Sequence, residues 1–292
     1  MNFQIALLIT IPFYFIACWL FLPKEQAGAL FNLKNGWRFG FGRAFAEWAA
    51  VALLFTMLGL QIAEVYFDQA FTGIANRLFG GETVLTAFFQ HNEGRFWGTV
   101  FGAIDASGSL ENAVSKYLSV VYIVVHPIMI GFVPLLLLFS GSRLFKGIAA
   151  SYLSMYAISL PFYLFMPVTN VFTSYGRETA LLSVFDGIKE NWYKVTTENN
   201  CFPSLHTAMV VIIAAFAYYY WKEGKGRYGR EFFIINVIYA ASVIFGVIFL
   251  AIHWITDVVG GLLVAAIAIY FGIRYSGYNE AKPRGNPKAG SS

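Results

Sequence analysis

A chain of 292 residues that is 58% hydrophobic and only 12% charged carries roughly half the charge of an ordinary soluble domain. Its formal net charge of +4 comes without any basic stripe interleaved with aromatics, which excludes a nucleic-acid surface and points to an integral membrane protein. Two cysteines, Cys18 and Cys201, give neither a disulfide framework nor metal-ligand spacing.

In chain order, apolar runs able to cross about 30 Å of hydrocarbon fall at 3–22, 45–66, 118–139, 147–168, 204–221, 232–251 and 254–273. They are expected as helices, since lipid leaves backbone groups no other partner and barrel-type alternation is absent. The first run, MNFQIALLITIPFYFIACWLFL, lacks the basic start and cleavage site of a signal peptide and reads as a retained span. The segment 67–117 holds FTGIANRLFG, VLTAFFQ and GRFWGTVFGAI, aromatic runs cut by Gly and charge. These suit short helices lying on the membrane interface. The tail from Ser276, with its Gly, Pro and Ser, is expected to be disordered. The expected fold is therefore all-α and integral to the membrane, a polytopic helical bundle. Residues 1–44 form an N-terminal transmembrane helix and loop, 45–275 the catalytic core, and 276–292 the tail. No soluble domain and no repeat is visible.

Lys and Arg concentrate in 23–46, 140–146, 222–231 and the tail. Such an excess marks the cytoplasmic side, which puts the C-terminus there and the N-terminus outside. Segments 67–117 and 169–203 then lie outside. Omitting the first span leaves this sidedness unchanged.

On the outer side the sequence reads CFPSLHTAM at 201–209. Ser204 is a good N-cap and Pro203 ends the incoming loop, so a helix starts there with His206 in its first turn. A helix N-terminus suits a phosphate, and Ser204 and Thr207 are candidate phosphate-binding hydroxyls. After one hairpin through the basic KEGKGRYGR loop, the chain returns to the same side at AIHWITDVVGG, 251–261. His253 and Asp257 are four apart and share a face if helical. A carboxylate so placed fixes the ring tautomer and frees the other nitrogen to attack. Asp257 is also an acid in an otherwise apolar span, a costly placement that marks function. The two histidines therefore meet by hairpin geometry, forming a candidate phosphoryl-transfer site. His253 is the nucleophile, Asp257 its orienter and His206 the acid for the leaving oxygen.

FPSLHTA followed by HWITDVVGG resembles the second and third signature motifs of the type 2 phosphatidic acid phosphatase superfamily, over a core of about 118–273. The resemblance implies a six-helix core, here with an extra N-terminal helix, no metal or other cofactor, and a phosphohistidine intermediate. It assigns the nucleophile, activating and general-acid roles to His253, Asp257 and His206. The chain departs from the phosphatases in lacking Lys-x6-Arg-Pro and in having Val247 where they carry an Arg six residues before the nucleophile. The Phe-Pro-Ser-x-His form without that Arg is more similar to the inositol phosphorylceramide synthase and sphingomyelin synthase branch. There an alcohol such as inositol, or a lipid alcohol, is the acceptor. Some cation must still offset the phosphate charge. The outer loop offers Arg177, Lys189 and Lys194, of which Arg177 in SYGRE can grip phosphate bidentately.

Simpler readings stand beside these. A lone membrane histidine is more often satisfied in place than catalytic, and His126, before Pro127, reads as bonded to a carbonyl freed by the proline. His91 reads as solvated, Cys201 as a packing residue, and Gly260–Gly261 as a site of close helix packing. Gln61 and Glu64 sit at a helix end, where they either line an acceptor pocket or simply face the interface. The partner expected is a membrane lipid substrate with a small alcohol acceptor, and nothing fixes the oligomeric state. A phosphatase using water shares every one of these residues. A transporter with a His/Asp relay would spread ionisable groups along several spans. A retinal protein would need a Lys in the last span. A metal held by the His and Asp side chains lacks a local metal motif.

Overall fold

The computed structural model describes residues 3–79, 82–107, 109–177 and 200–278; Lys189, Lys194 and the tail beyond 278 lie outside them. The described residues are helical almost throughout. Helices α1 (Phe3–Phe21), α2 (Lys24–Leu30) and α3 (Gly36–Ala46) lead into α4 (Trp48–Phe79) and α5 (Glu82–Ser107). Helix α6 (Ser109–Val120) passes through a π-helical turn, Val121–Val125, into α7 (His126–Ser140), and α8 (Leu144–Phe165) returns. The short α9 (Val171–Ser174) precedes α10 (Leu205–Glu223), α11 (Gly229–Phe249) and α12 (Ile255–Ser276).

A helix occupies each of the seven stretches expected to span. Residues 113–140, α8, α11 and α12 are long and apolar enough to cross a membrane, and α3 with α4 makes a fifth if their 81° bend counts as one broken span. The protein is a multi-pass membrane protein. Helix α10 falls outside that group because its end reads YYYWKE, yet it lies largely within the bundle. Its Ala208, Val210, Ile212, Ile213, Phe216 and Ala217 are fully buried. Around it α8 packs on α12 and α4 on α8, while α11 pairs with α10. The outward faces of α11 and α12 show Ile234, Ile238, Phe245, Leu263 and Tyr270. Such a surface suits lipid, where apolar exposure costs nothing.

The α8–α12 crossing is close because both helices present glycine. A Cβ at Gly272 would collide with the Gly147 carbonyl and the Ser151 hydroxyl, and one at Gly147 would meet Phe216 at 2.7 Å. Helix α10 ends where Gly224 adopts φ +67°, a left-handed cap that costs glycine little.

Helix α1 is fastened by two tyrosines. Tyr14 Oη donates to the Ile128 carbonyl at 2.8 Å, and Tyr220 Oη donates to the Phe21 carbonyl at 3.0 Å. The segment 67–117 differs in length from the short runs expected. Helix α4 continues to Phe79, and α5 is a single helix of 26 residues through Gly94, Gly98 and Gly102. Each interior glycine costs about 1 kcal/mol relative to alanine. Docking of the opposite face, with Phe89 and Trp97 buried, offsets that cost. Ser142 Oγ donates to Glu223 Oε2 at 2.8 Å, so the basic loops 140–146 and 222–231 share one end of the bundle. The two histidine motifs occupy the other.

Candidate active site

Helix α10 starts as its sequence dictates. Ser204 takes an extended conformation and its hydroxyl accepts from the Thr207 N–H at 3.3 Å, which places His206 second in the helix. The preceding Phe202–Pro203 peptide is cis, and Tyr163 Oη donates to the Pro203 carbonyl at 2.6 Å. Upstream, Asn200 and Tyr156 both donate to the buried Glu64 carboxylate, which ties α4 to this loop. The Thr207 hydroxyl is buried without a hydrogen-bond partner.

Helix α12 begins at Ile255, so His253 stands ahead of the helix rather than on it. Asp257 occupies the third helical position, and its Oδ2 reaches back to accept from the Trp254 N–H at 2.9 Å. That reach is half of a capping box. The same oxygen lies 3.4 Å from His253 Nδ1. Spacing of four therefore produces the expected contact by end-of-helix geometry instead of a shared helical face. The turn is set from behind by the Val247 carbonyl, which accepts from the N–H groups of Ile252 at 2.9 Å and His253 at 3.1 Å. Ala251 in that turn has φ +54°, a left-handed conformation costing a non-glycine residue on the order of 1 kcal/mol.

The two motifs touch. His206 Nδ1 is 3.2 Å from His253 Nε2, and the Ser204 N–H donates to the Asp257 carbonyl at 3.0 Å. His253 is 3% exposed and Asp257 wholly buried, whereas His206 is half-buried. Burial lowers the pKa of His253, in the turn ahead of the last span, to about 4, opposed by a hydrogen bond with the Cys201 backbone. The ring is thus neutral near pH 7, with a lone pair to use.

Close approach is again bought by glycine. A Cβ at Gly261 would run into the Ser204 carbonyl, and one at Gly260 would meet Phe202 at 2.7 Å. Gly261→Ala is expected to push the two motifs apart, costing about 1–3 kcal/mol and most of the activity. A thermal midpoint and turnover equal to wild type would show that the crossing tolerates a methyl group.

Behind His206 lies a second layer. Tyr122 Oη is 3.4 Å from its Nδ1, and the His126 ring centroid is 5.2 Å away. His126 Nδ1 bonds the Tyr239 hydroxyl at 2.5 Å, so its partner is a side chain on α11 and not a freed carbonyl. The π-helical turn holds Tyr122 stacked on His126, a feature common at functional sites and invisible in the sequence.

Of the other expected site residues, Arg177 follows α9 with its guanidinium 4.4 Å over the Phe101 ring. Phe101 leads by aromatic contacts through Trp97 to Trp254, beside His253. Lys189 falls outside the described residues. Val247 is fully buried in the bundle, so a cation at that position would face the core. Cys201, His253 and Asp257 offer ligand atoms within 4.8 Å of one another, and Asp257 Oδ1 is buried without a partner. This is the one described cluster with donors suited to a divalent cation. Residues that the sequence reading passed over include Glu93, Trp97 and Phe89 on α5, which cover the His253 turn. Their signal was Phe89, Glu93, Trp97 and Phe101 at intervals of one helical turn.

A multi-pass helical bundle that closes two histidines and a carboxylate at one end has the makings of a membrane-embedded enzyme. The model of the PAP2 superfamily matches residues 100–271, and the protein belongs to that superfamily. It is an enzyme of the phosphatase and phosphotransferase type that the family comprises. No curated protein and no solved structure matches the chain.

Proposed function

We propose that the protein transfers a phosphoryl or substituted phosphoryl group from a lipid donor to an alcohol, such as inositol or a lipid alcohol, by way of a phosphohistidine at His253. The observation that carries this reading is the 3.2 Å approach of His206 to the His253 ring, whose other nitrogen faces Asp257. Asp257 keeps the proton of His253 on Nδ1 and leaves Nε2 as the nucleophile. In the first step the N–P bond forms, the P–O bond to the leaving group breaks, and protonated His206 gives its proton to the departing oxygen. In the second, the acceptor hydroxyl loses its proton to His206, the new P–O bond forms and the N–P bond breaks. Ser204, Thr207, Arg177 and Lys189 are proposed to hold the phosphate oxygens. The absence of the Lys-x6-Arg-Pro motif and the buried Val247 favour the alcohol-accepting branch over the phosphatases. On the distribution of Lys and Arg, the site faces the outer side and the C-terminus the cytoplasm.

The test is an assay of purified protein in detergent with a panel of lipid phosphates and phospholipids, with and without inositol and other alcohols. The expected result is a new head-grouped lipid, seen by mass, only when the alcohol is present. Free phosphate without an acceptor would make the protein a phosphatase. Activity should survive chelators; loss with EDTA and rescue by a divalent ion would shift the reading to a metal at Cys201, His253 and Asp257.

A further inference from the structure

Helix α5 lays one face on the turn that carries His253. Thr86, Phe89, Glu93, Trp97 and Phe101 recur at helical spacing along it. Thr86 Oγ1 accepts from the Thr169 N–H at 3.0 Å, while the Trp254 indole donates to the Thr169 carbonyl at 2.9 Å. Phe89 packs against both Phe202 and Trp254, one residue from each histidine motif. At the centre is Glu93, 9% exposed. Its Oε2 accepts from the Ile255 N–H at 2.8 Å and the Trp97 indole N–H at 3.1 Å. Its Oε1 accepts from the Thr256 N–H at 2.8 Å and the Thr256 hydroxyl at 2.6 Å. Both oxygens are taken as acceptors, by groups that include three N–H donors. Trp97 itself is fully buried, its ring centroid 6.2 Å from that of Trp254.

We propose that Glu93 is a positioning residue for His253. It grips the first turn of α12 from outside the matched catalytic motifs, fixes residues 251–254 through Trp97 and Trp254, and so sets the aim of the imidazole at His206. The catalytic arm of this proposal rests on the phosphohistidine reading above. The groups facing the ring are His206 of α10, Asp257 of α12 and Cys201 of the loop before α10, with Tyr122 and His126 behind His206. None of them replaces a lost Glu93 contact to the Ile255 and Thr256 N–H groups.

The test compares full-length wild type with Glu93→Gln and Glu93→Asp. Glutamine keeps the size but turns an NH2 group toward backbone donors and removes the charge; aspartate keeps the charge on a shorter arm. In Glu93→Gln, kcat should fall about 10- to 100-fold, as for other groups that orient a reacting ligand from behind, with KM nearly unchanged. Glu93→Asp, which keeps both acceptor oxygens on a shorter arm, should recover most of the lost kcat. A second readout needs no substrate: carbethoxylation of His253 by diethyl pyrocarbonate, followed by mass spectrometry against the exposed His91. At one fixed pH the rate of His253 carbethoxylation should change several-fold in Glu93→Gln, return toward wild type in Glu93→Asp, and stay constant for His91. If wild type turns over no lipid phosphate, the functional reading fails and the carbethoxylation arm still decides. An identical His253 carbethoxylation rate in wild type and Glu93→Gln would overturn the proposal, as would a loss of thermal stability with kcat unchanged.

Discussion

His253→Ala is expected to abolish turnover while the protein still folds and purifies. If the ring is the phosphoryl carrier, no neighbour replaces it: Asp257 faces the far nitrogen and His206 approaches the near one. Loss of a covalent nucleophile of this kind lowers the rate on the order of 10³-fold or more. The structural cost is smaller. Asp257 keeps its bond to the Trp254 N–H, and the turn keeps both bonds to the Val247 carbonyl. What is lost is one buried ring with its contacts to Asp257, His206 and the Cys201 backbone, about 1–3 kcal/mol. Product formation, the unfolding midpoint and acid-labile protein-bound phosphate in a rapid quench separate the two effects. Turnover at the wild-type rate in the alanine variant would end the phosphohistidine mechanism.

His206→Ala should cost less and in a substrate-dependent way. A general acid contributes about 10²- to 10⁴-fold when the leaving oxygen is strongly basic. An alkoxide from a lipid alcohol needs that proton, whereas p-nitrophenolate does not. The variant should therefore lose first-step release of the lipid leaving group by that factor, yet release its first equivalent of p-nitrophenolate in a rapid quench at most of the wild-type rate; the second step, which uses His206 as base, is slowed alike for both. Equal losses of the first-step rate on both substrates would assign His206 to phosphate binding instead. The ring also fills space between Tyr122, His126 and His253, so the comparison is made on protein whose melting transition has been checked.

Much of this site was legible because its parts are local. Ser204 before a helical run, Asp257 four residues after His253, and a single hairpin between them are all patterns of neighbouring residues. The hairpin brought the two motifs to one end without further assumption. What escaped was whatever depends on distant chain segments. Glu93 meets Thr256 across 163 positions, and its helix was masked by Gly94, Gly98 and Gly102, which read as breaks until tertiary docking is known. His126 was assigned to a carbonyl because Pro127 follows it; only the π-helical turn and the facing Tyr239 redirect it. Glu64 read most simply as an interfacial helix end, because Asn200 and Tyr156 lie far along the chain. Seven apolar stretches were readable by composition. The burial of α10 was not, since its final turn of aromatic and charged residues hides a core helix.

The fastening of α1 has a consequence in time. The terminal carbonyl of Phe21 is met by a hydroxyl 199 residues further along, and that of Ile128 by Tyr14. A chain made from its N-terminus therefore releases its first helix long before the residue that anchors the end of that helix exists. Its tie to α7 through Tyr14 can form first, while the tie at Phe21 follows only when α10 is present.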